Sequence, residues 1–495
     1  MEHVDIICVY DNDRFAAPIE YTFDLLLSTF DVSYRVMPLG RLTEDGDYPR
    51  DALLISYGRD RMDPGDRKQI HIHASDLFGE KYLRPDSMPE RPLSQHDGLP
   101  VIYAGRGALG WVRQSAELIE TNIDIVASSF FMVSRYEEVV LDVKDEHERF
   151  PAWASLALQE GFLERPIVNE YIELLWSWVQ ALAPGLKRRP LWPQNRDFAV
   201  CLTHDVDSLR KYSLMPPVLP IAGLVLRQRK PRMGLAMATD YLGTLLRLRK
   251  DPFDTFDYML DLERQYGFKS SFYIMAGGDS EYDNRYAVTE RRVRKLIRRI
   301  EDRGCEVGLH PSYNSYNRPD YVVSEKAALD GVVNNKPYGC RQHYLRWKTP
   351  DTWRIQEQAG LVYDSSLSFA DHVGFRCGLC LPYRPFDIVE NRALGILELP
   401  LAVHESGLHG APYQNLGPEA AYEAAAELIR AAKECHGALV FIWHNSSFDP
   451  LAGWAGWKET YERLMRHISE QNAWVTNGRD IVEWWKQSES TASGE

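Results

Sequence analysis

Two aspartates stand two residues apart at the end of an apolar run, in Thr203-His204-Asp205-Val206-Asp207. Alternate side chains of an extended strand share a face, so the two carboxylates are expected close together. Like charges at that range repel and push one pKa up unless a cation sits beside them. A dication is the natural partner: one carboxylate can hold it while the other takes a proton from a water. A second piece lies in Gly308-Leu309-His310-Pro311-Ser312-Tyr313-Asn314, where His310 offers an imidazole ligand and Asn314 an amide oxygen. Arg341 and His343 end a third run, and His444 ends a fourth, Leu439-Val440-Phe441-Ile442-Trp443-His444. His444 would be placed to give a proton to a leaving group. Tyr313, His343 and Trp443 flank these positions and are the candidates for touching a substrate.

These residues need a scaffold that brings distant stretches together. Short apolar runs occupy 198–204, 270–275, 305–310, 338–344, 361–366, 396–401, 438–444 and 473–476, and helical patterns separate many of them. Such alternation predicts a parallel sheet, and seven or eight units suffice to close a TIM-like (β/α) barrel. All strand C-termini of a barrel meet at one face, which is where four of these runs carry their polar residues. Upstream, VDIICVY, IEYTFDLLLSTF, VSYRVMP and DALLISYG read as strand, helix, strand, strand, a smaller α/β domain. The expected organisation is an N-terminal α/β domain over 1–135, a helical accessory and linker region over 136–190, the barrel over 191–485 and a disordered tail over 486–495.

Four motifs in order resemble those of the polysaccharide deacetylases, the NodB-homology or family-four carbohydrate esterases. GCEVGLHPSYN (304–314) is similar to their GHEIGNHTxxH segment, and CLTHDVD (201–207) to their TFDD motif. Arg341 in GCRQHY falls where their arginine motif would, and FIWHNSSFD carries their last histidine as His444. The likeness spans about residues 195–480, and SRYEE (134–138) with 149–171 resembles an accessory region of a subgroup. It implies a deformed barrel that hydrolyses N-acetyl groups of amino sugars in a polysaccharide or glycan precursor. By the same resemblance Asp205 is the base, Asp207 and His310 hold a divalent metal, usually zinc, His444 is the acid and Arg341 restrains the base. Asn314 stands where relatives carry a second metal histidine, and an amide oxygen is the poorer zinc ligand. No Asp-containing motif is evident near ELPLAVH (398–404), although Glu398 is available to fill a charge role. An inactive deacetylase-like protein that binds carbohydrate or acts as a scaffold is the first alternative.

The rest of the sequence narrows the classes. With 57 Lys and Arg against 71 Asp and Glu, the net charge of −14 argues against nucleic acid as a partner. Seven scattered cysteines make no disulfide framework, and Cys377 and Cys380 lack a second pair at zinc-finger spacing. The opening MEHVDIICVYDNDRF has no basic stretch followed by a long apolar one. A cytoplasmic location is therefore expected, at the inner membrane surface if segment 214–250 touches the bilayer. That segment joins apolar residues to a cluster of Arg and Lys, as either a helical lid or a peripheral membrane contact. Gly105-Arg106-Gly107-Ala108-Leu109-Gly110 matches a dinucleotide fingerprint on paper, which makes a nucleotide-dependent enzyme the second alternative.

Overall fold

The computed structural model describes residues 4–44, 49, 51–63, 65, 67–107, 109–212, 217–283 and 286–492. Within it the chain is a mixed α/β protein with two sheets of mainly parallel strands. The first comprises Ile6–Tyr10 (β1), Tyr34–Pro38 (β2), Leu53–Gly58 (β3), Gln69–His73 (β4), Val112–Gln114 (β5) and Leu118–Thr121 (β6). Their order is β2-β1-β3-β4-β6-β5, and only the β5–β6 pairing is antiparallel. Strands β1 and β3 are buried along their whole length, so IICVY and LLISYG read as runs without apolar–polar alternation. Helices Ala16–Leu27 (α1), Ile125–Val133 (α2) and Ile167–Leu182 (α3) pack on one another beside this sheet.

The glycine-rich turn at 105–110, of which Ala108 lies outside the described residues, leads into strand β5 and not into a helix. Asn122 fills it: its Nδ2 donates to the carbonyls of Arg106 and Leu109, and its Oδ1 accepts from the Trp111 N–H. A dinucleotide fingerprint needs a helix N-terminus at that place to meet the pyrophosphate. Gly105 is instead a packing requirement, since a Cβ there would lie 2.6 Å from the His73 side chain and carbonyl.

The second sheet holds the predicted site. Its strands are Phe198–Val206 (β7), Ser271–Ile274 (β8), Glu306–Leu309 (β9), Tyr363–Asp364 (β10), Leu397–Glu398 (β11), Leu401–His404 (β12), Ala438–Ile442 (β13) and Ala473–Thr476 (β14). All its pairings are parallel: β9-β8-β7-β13-β12 form one path, β14 pairs β7, and β10 pairs β11. The expected run 338–344 contributes a single bridging residue, Cys340, which joins Leu309 to Asp364. Only Leu399 and Pro400 separate β11 from β12. Between β7 and β8 the chain forms Val218–Ala222 (α4), Pro231–Leu245 (α5) and Phe256–Gln265 (α6). Arg291–Asp302 (α7) buries Val293, Leu296, Ile297 and Ile300 at helical spacing under an arginine-rich outer face.

Two glycines set the spacing beneath the site. A Cβ on Gly308 would lie 2.6 Å from the Tyr273 ring, and one on Gly339 would lie 2.2 Å from the Tyr363 ring. The rings of Tyr273 and Tyr363 thus fill the interior, and His310 and Arg341 follow two residues beyond each glycine on the same side.

One apolar core runs from Ile6 to Trp485 through both sheets. A buried ion cluster crosses with it. Arg135 donates to Glu137 and Glu138 at 2.8 Å each and to the Arg376 carbonyl, and Arg376 donates to Glu138 at 2.8 Å. The segment expected as linker is tied down where Lys187 and Arg188 pair with Phe30 and Asp31. Helix Gly478–Ala492 (α8) runs through most of the expected disordered tail, because Arg189 and Arg384 bond to Ser488 and Glu489 there; residues 493–495 lie outside the described residues. Replacing Arg135 with Met leaves Glu137 without its guanidinium and Glu138 with one of two. Unfolding free energy is expected to fall by about 3–5 kcal/mol, measured as a lowered denaturant midpoint.

Candidate metal centre and active site

Asp205 and Asp207 leave the end of β7 beside residues from three other stretches. Asp207 Oδ1 lies 3.2 Å from His310 Nε2 and 3.9 Å from His343 Nε2, and its Oδ2 lies 3.6 Å from His444 Nε2. Asp205 places Oδ2 3.9 Å from His310 Nε2 and Oδ1 3.6 Å from Arg341 Nη1. Asp207, His310 and His343 each offer a ligand atom, all within 4.8 Å of one another, in the one such group found among the described residues. The donor set suits a divalent metal on two counts. Asp205 Oδ1 and Asp207 Oδ1 are both buried without a hydrogen-bond donor, as carboxylates awaiting a cation would be. The two imidazoles are also held from behind. His310 Nδ1 bonds the Arg341 carbonyl and His343 Nδ1 lies 3.3 Å from Asp283 Oδ1, which leaves both Nε2 atoms free to ligate.

The electrostatics show the same demand for positive charge. Burial pushes the Asp207 carboxyl up, but His444, His310 and His343 outweigh it and hold the group well below the usual carboxylate range. Burial alone would lower the His310 pKa; the Asp205 and Asp207 carboxylates raise it above its ordinary value. For His444 the opposing pull of burial is overcome by Glu405 and Asp207, and its pKa is raised to about 10. Asp283, behind His343, is lowered to about 2: burial raises it, and bonds from His343, Tyr313 N–H and Ser280 more than compensate.

The predicted residues fall into different places. Arg341 is fully buried and fixed by Ser365 and by Thr203 Oγ1, with its guanidinium turned to Asp205. His343, expected as a substrate contact, stands in the cluster of ligand atoms. Asn314, expected as the third ligand, has its amide drawn elsewhere: Oδ1 accepts from Arg346 at 3.2 Å and Nδ2 reaches Asp279 at 3.4 Å. Trp443 was expected to touch substrate, yet it is fully buried, stacked on Phe441 and packed at a tilt against Trp457 and Tyr461, so its place is in the core. Tyr313 is mostly buried, with its hydroxyl on His147 and its ring 4.4 Å from that of Tyr282. Glu398 is likewise away from the site, bonded to Trp353 and to the Leu367 N–H.

Sequence reasoning missed three contributions. Glu405, fully buried, accepts from both the backbone N–H and Nδ1 of His444 at 2.7 Å and from Ser447 at 2.6 Å. It lies one residue beyond the ELPLAVH stretch, and an acidic residue directly after an apolar strand was the signal. Asp283 sits in a loop without periodicity and left no signal. His147 comes from the stretch between Tyr136–Val140 and Ile167–Leu182 and packs against the rings of Tyr282, Tyr313 and Tyr344. Tyr282 and Tyr344 remain more than a third exposed, and the Tyr344 ring lies 4.8 Å from that of His343.

Residues 7–184 match DUF7033, a family of unknown function. No curated protein matches the chain. Over about 60% of its length the structure is similar to polysaccharide deacetylases. A Mycobacterium smegmatis structure assigned as one is 17% identical, covers 60% of this chain and 93% of its own, and has a TM-score of 0.40. An allantoinase is 15% identical over 60% of this chain and 93% of its own, with a TM-score of 0.40. The carbohydrate deacetylase Agd3 covers 98% of this chain and 88% of its own at 9% identity and a TM-score of 0.33.

The ligand assignment is open to a titration. Zinc affinity of His343→Ala should drop by more than the ~10–100-fold expected when only an outer partner is lost, as in Asp283→Asn. Asn314→Ala should stay within about threefold of the parent, since its amide faces Arg346. Competition with a chromogenic chelator measures all three.

Proposed function

We propose that the protein is a metal-dependent deacetylase that hydrolyses the N-acetyl amide of an amino sugar in a polysaccharide or glycan precursor. The observation that carries this reading is a buried carboxylate, Asp205, whose Oδ1 faces Arg341 at 3.6 Å without a hydrogen bond, on one side of an Asp–His–His cluster and a carboxylate-backed histidine on the other. The ring of parallel pairings from β7 through Cys340 to β13 supports a deformed (β/α) barrel of seven units, with β14 outside it. Asp207, His310 and His343 would hold the metal, and the set of one carboxylate and two imidazoles favours zinc. A divalent metal there would polarise the amide carbonyl and acidify a water.

Asp205 is the base. Its Oδ1 has no hydrogen-bond donor, and Arg341, itself immobilised by Thr203 and Ser365, stands 3.6 Å from it and keeps it aimed. His444 is the acid. With Nδ1 fixed on Glu405 its proton-bearing Nε2 faces Asp207 and the reacting space, and the raised pKa keeps that proton in place at neutral pH. Amide cleavage requires a proton on the departing nitrogen, which His444 supplies as Asp205 takes one from the attacking water. Tyr282 and Tyr344 offer partly exposed ring faces beside the site, suited to the apolar face of a pyranose.

Acetate release from chitooligosaccharides tests the reading. Asp205→Asn should lower turnover by about 10²–10⁴-fold with bound metal retained, because it removes the base and leaves the three ligands. Turnover equal to the parent's rules out Asp205 as base, and no acetate release by the metal-loaded parent rules out the activity. Glu405→Gln should lower kcat by about 10²-fold or more with KM little changed; loss confined to KM would place the Glu405–His444 pair in binding instead.

A further inference from the structure

Segment 217–250, inserted directly after the aspartates of β7, has an outward face that no part of the described chain covers. In α5 the usual amphipathic order is inverted. Gly234, Asp240, Tyr241 and Gly243 are buried, whereas Leu235 and Leu242 recur on the exposed side with Arg232 and Thr239. Nine of the fifteen large exposed hydrophobics among the described residues lie between Val218 and Leu248. Leu219 is 84% exposed, Leu226 and Leu248 79%, and Leu235 67%. Singly exposed leucines are ordinary, but a cluster of this size marks a contact surface. The same segment carries Arg227, Arg229, Lys230, Arg232, Arg247, Arg249 and Lys250 against Asp240 alone, a net +6 in a chain of −14.

Together these features point to one occupant. A second copy of the chain would accommodate the leucines but would set seven cations against seven. Nucleic acid would accommodate the cations and leave the leucines in water. An anionic bilayer takes both, with leucines among the acyl chains and guanidinium and ammonium groups at the headgroups. We propose that segment 217–250 docks the protein on the surface of anionic membranes. No helix of the described residues is long and apolar enough to cross a membrane, so the contact is peripheral. The base of the insertion is anchored on the site's rim. Asn445, next to His444, donates to the Ser208 and Phe253 carbonyls at 2.8 and 2.7 Å, and Tyr212 and Arg249 bond Asp240 at 2.9 Å each. Docking through this segment therefore holds the rim that carries Asp207 and His444 close to the lipid surface. The docking itself stands apart from the reaction proposed above.

Cosedimentation of the full chain with phosphatidylcholine vesicles, with and without phosphatidylglycerol, tests this. The protein should pellet with the phosphatidylglycerol vesicles, far less with pure phosphatidylcholine, and less again as salt rises. Two variants at exposed positions, Leu219→Ser with Leu226→Ser and Leu235→Ser, and Arg227→Ser with Arg229→Ser and Lys230→Ser, should each lower partitioning about tenfold or more at an unchanged melting temperature. Absence of the parent from the anionic pellet, or equal pelleting of parent and both variants, overturns the proposal. So does a doubled mass in light scattering that the leucine variant abolishes, which would make a second copy the occupant.

Discussion

Two carboxylates leave the end of one strand two residues apart, each with a buried oxygen that faces a cationic or imidazole side chain and makes no well-formed hydrogen bond. An arrangement of this kind persists only if positive charge is brought to it, and much of the second sheet is organised to do so. Glycines at 308 and 339 let the rings of Tyr273 and Tyr363 fill the interior, and one step above them His310 and Arg341 close on the aspartates. His343 approaches from the short turn after Cys340, and His444 from just beyond the end of β13. None of the three imidazoles is left to rotate: a carbonyl holds one, Asp283 another and Glu405 the third. The outer carboxylates matter as much as the inner ones, since they decide which nitrogen faces the centre.

The N-terminal half is joined to this centre by more than a tether. The Arg135–Glu137–Glu138–Arg376 cluster is buried between the two halves, and the continuous apolar core leaves little room for hinge motion there. His147 and Glu148 carry the connection to the rim, where His147 meets Tyr282, Tyr313 and Tyr344 and Glu148 binds Arg346 and Tyr316. Arg346 in turn bonds Asn314. The stretch around His147 and Glu148 thus shapes the wall beside the candidate metal centre, although the first sheet supplies none of the clustered ligands.

How far the sequence could be read followed from how regular each stretch is. Strands such as ALVFI and FAVCLTHDV announce themselves as unbroken apolar runs ending in polar residues, so Asp205, Asp207, His310, Arg341 and His444 were all visible as strand-end chemistry. What escaped lies where periodicity stops. The run 338–344 pairs through Cys340 alone and then leaves strand geometry in a short 3-10 turn, His343–Leu345, whose first residue stands in the ligand cluster. Asn314 read as a ligand because of its place in a peptide, but Arg346, thirty-two residues on, claims its oxygen. Trp443 flanks His444 and was a candidate substrate contact, yet alternation along the strand sends it to the opposite side, into the core. The glycines at 105–110 matched a fingerprint whose meaning depends on a following helix, and a strand follows instead.

The most direct test is anomalous diffraction at the zinc edge from crystals of the full chain grown with zinc. The arrangement predicts one strong peak within ~2.0–2.2 Å of Asp207, His310 Nε2 and His343 Nε2, with Asp205 near it but not ligating. A peak coordinated elsewhere, or none at this cluster in zinc-saturated crystals, would contradict it.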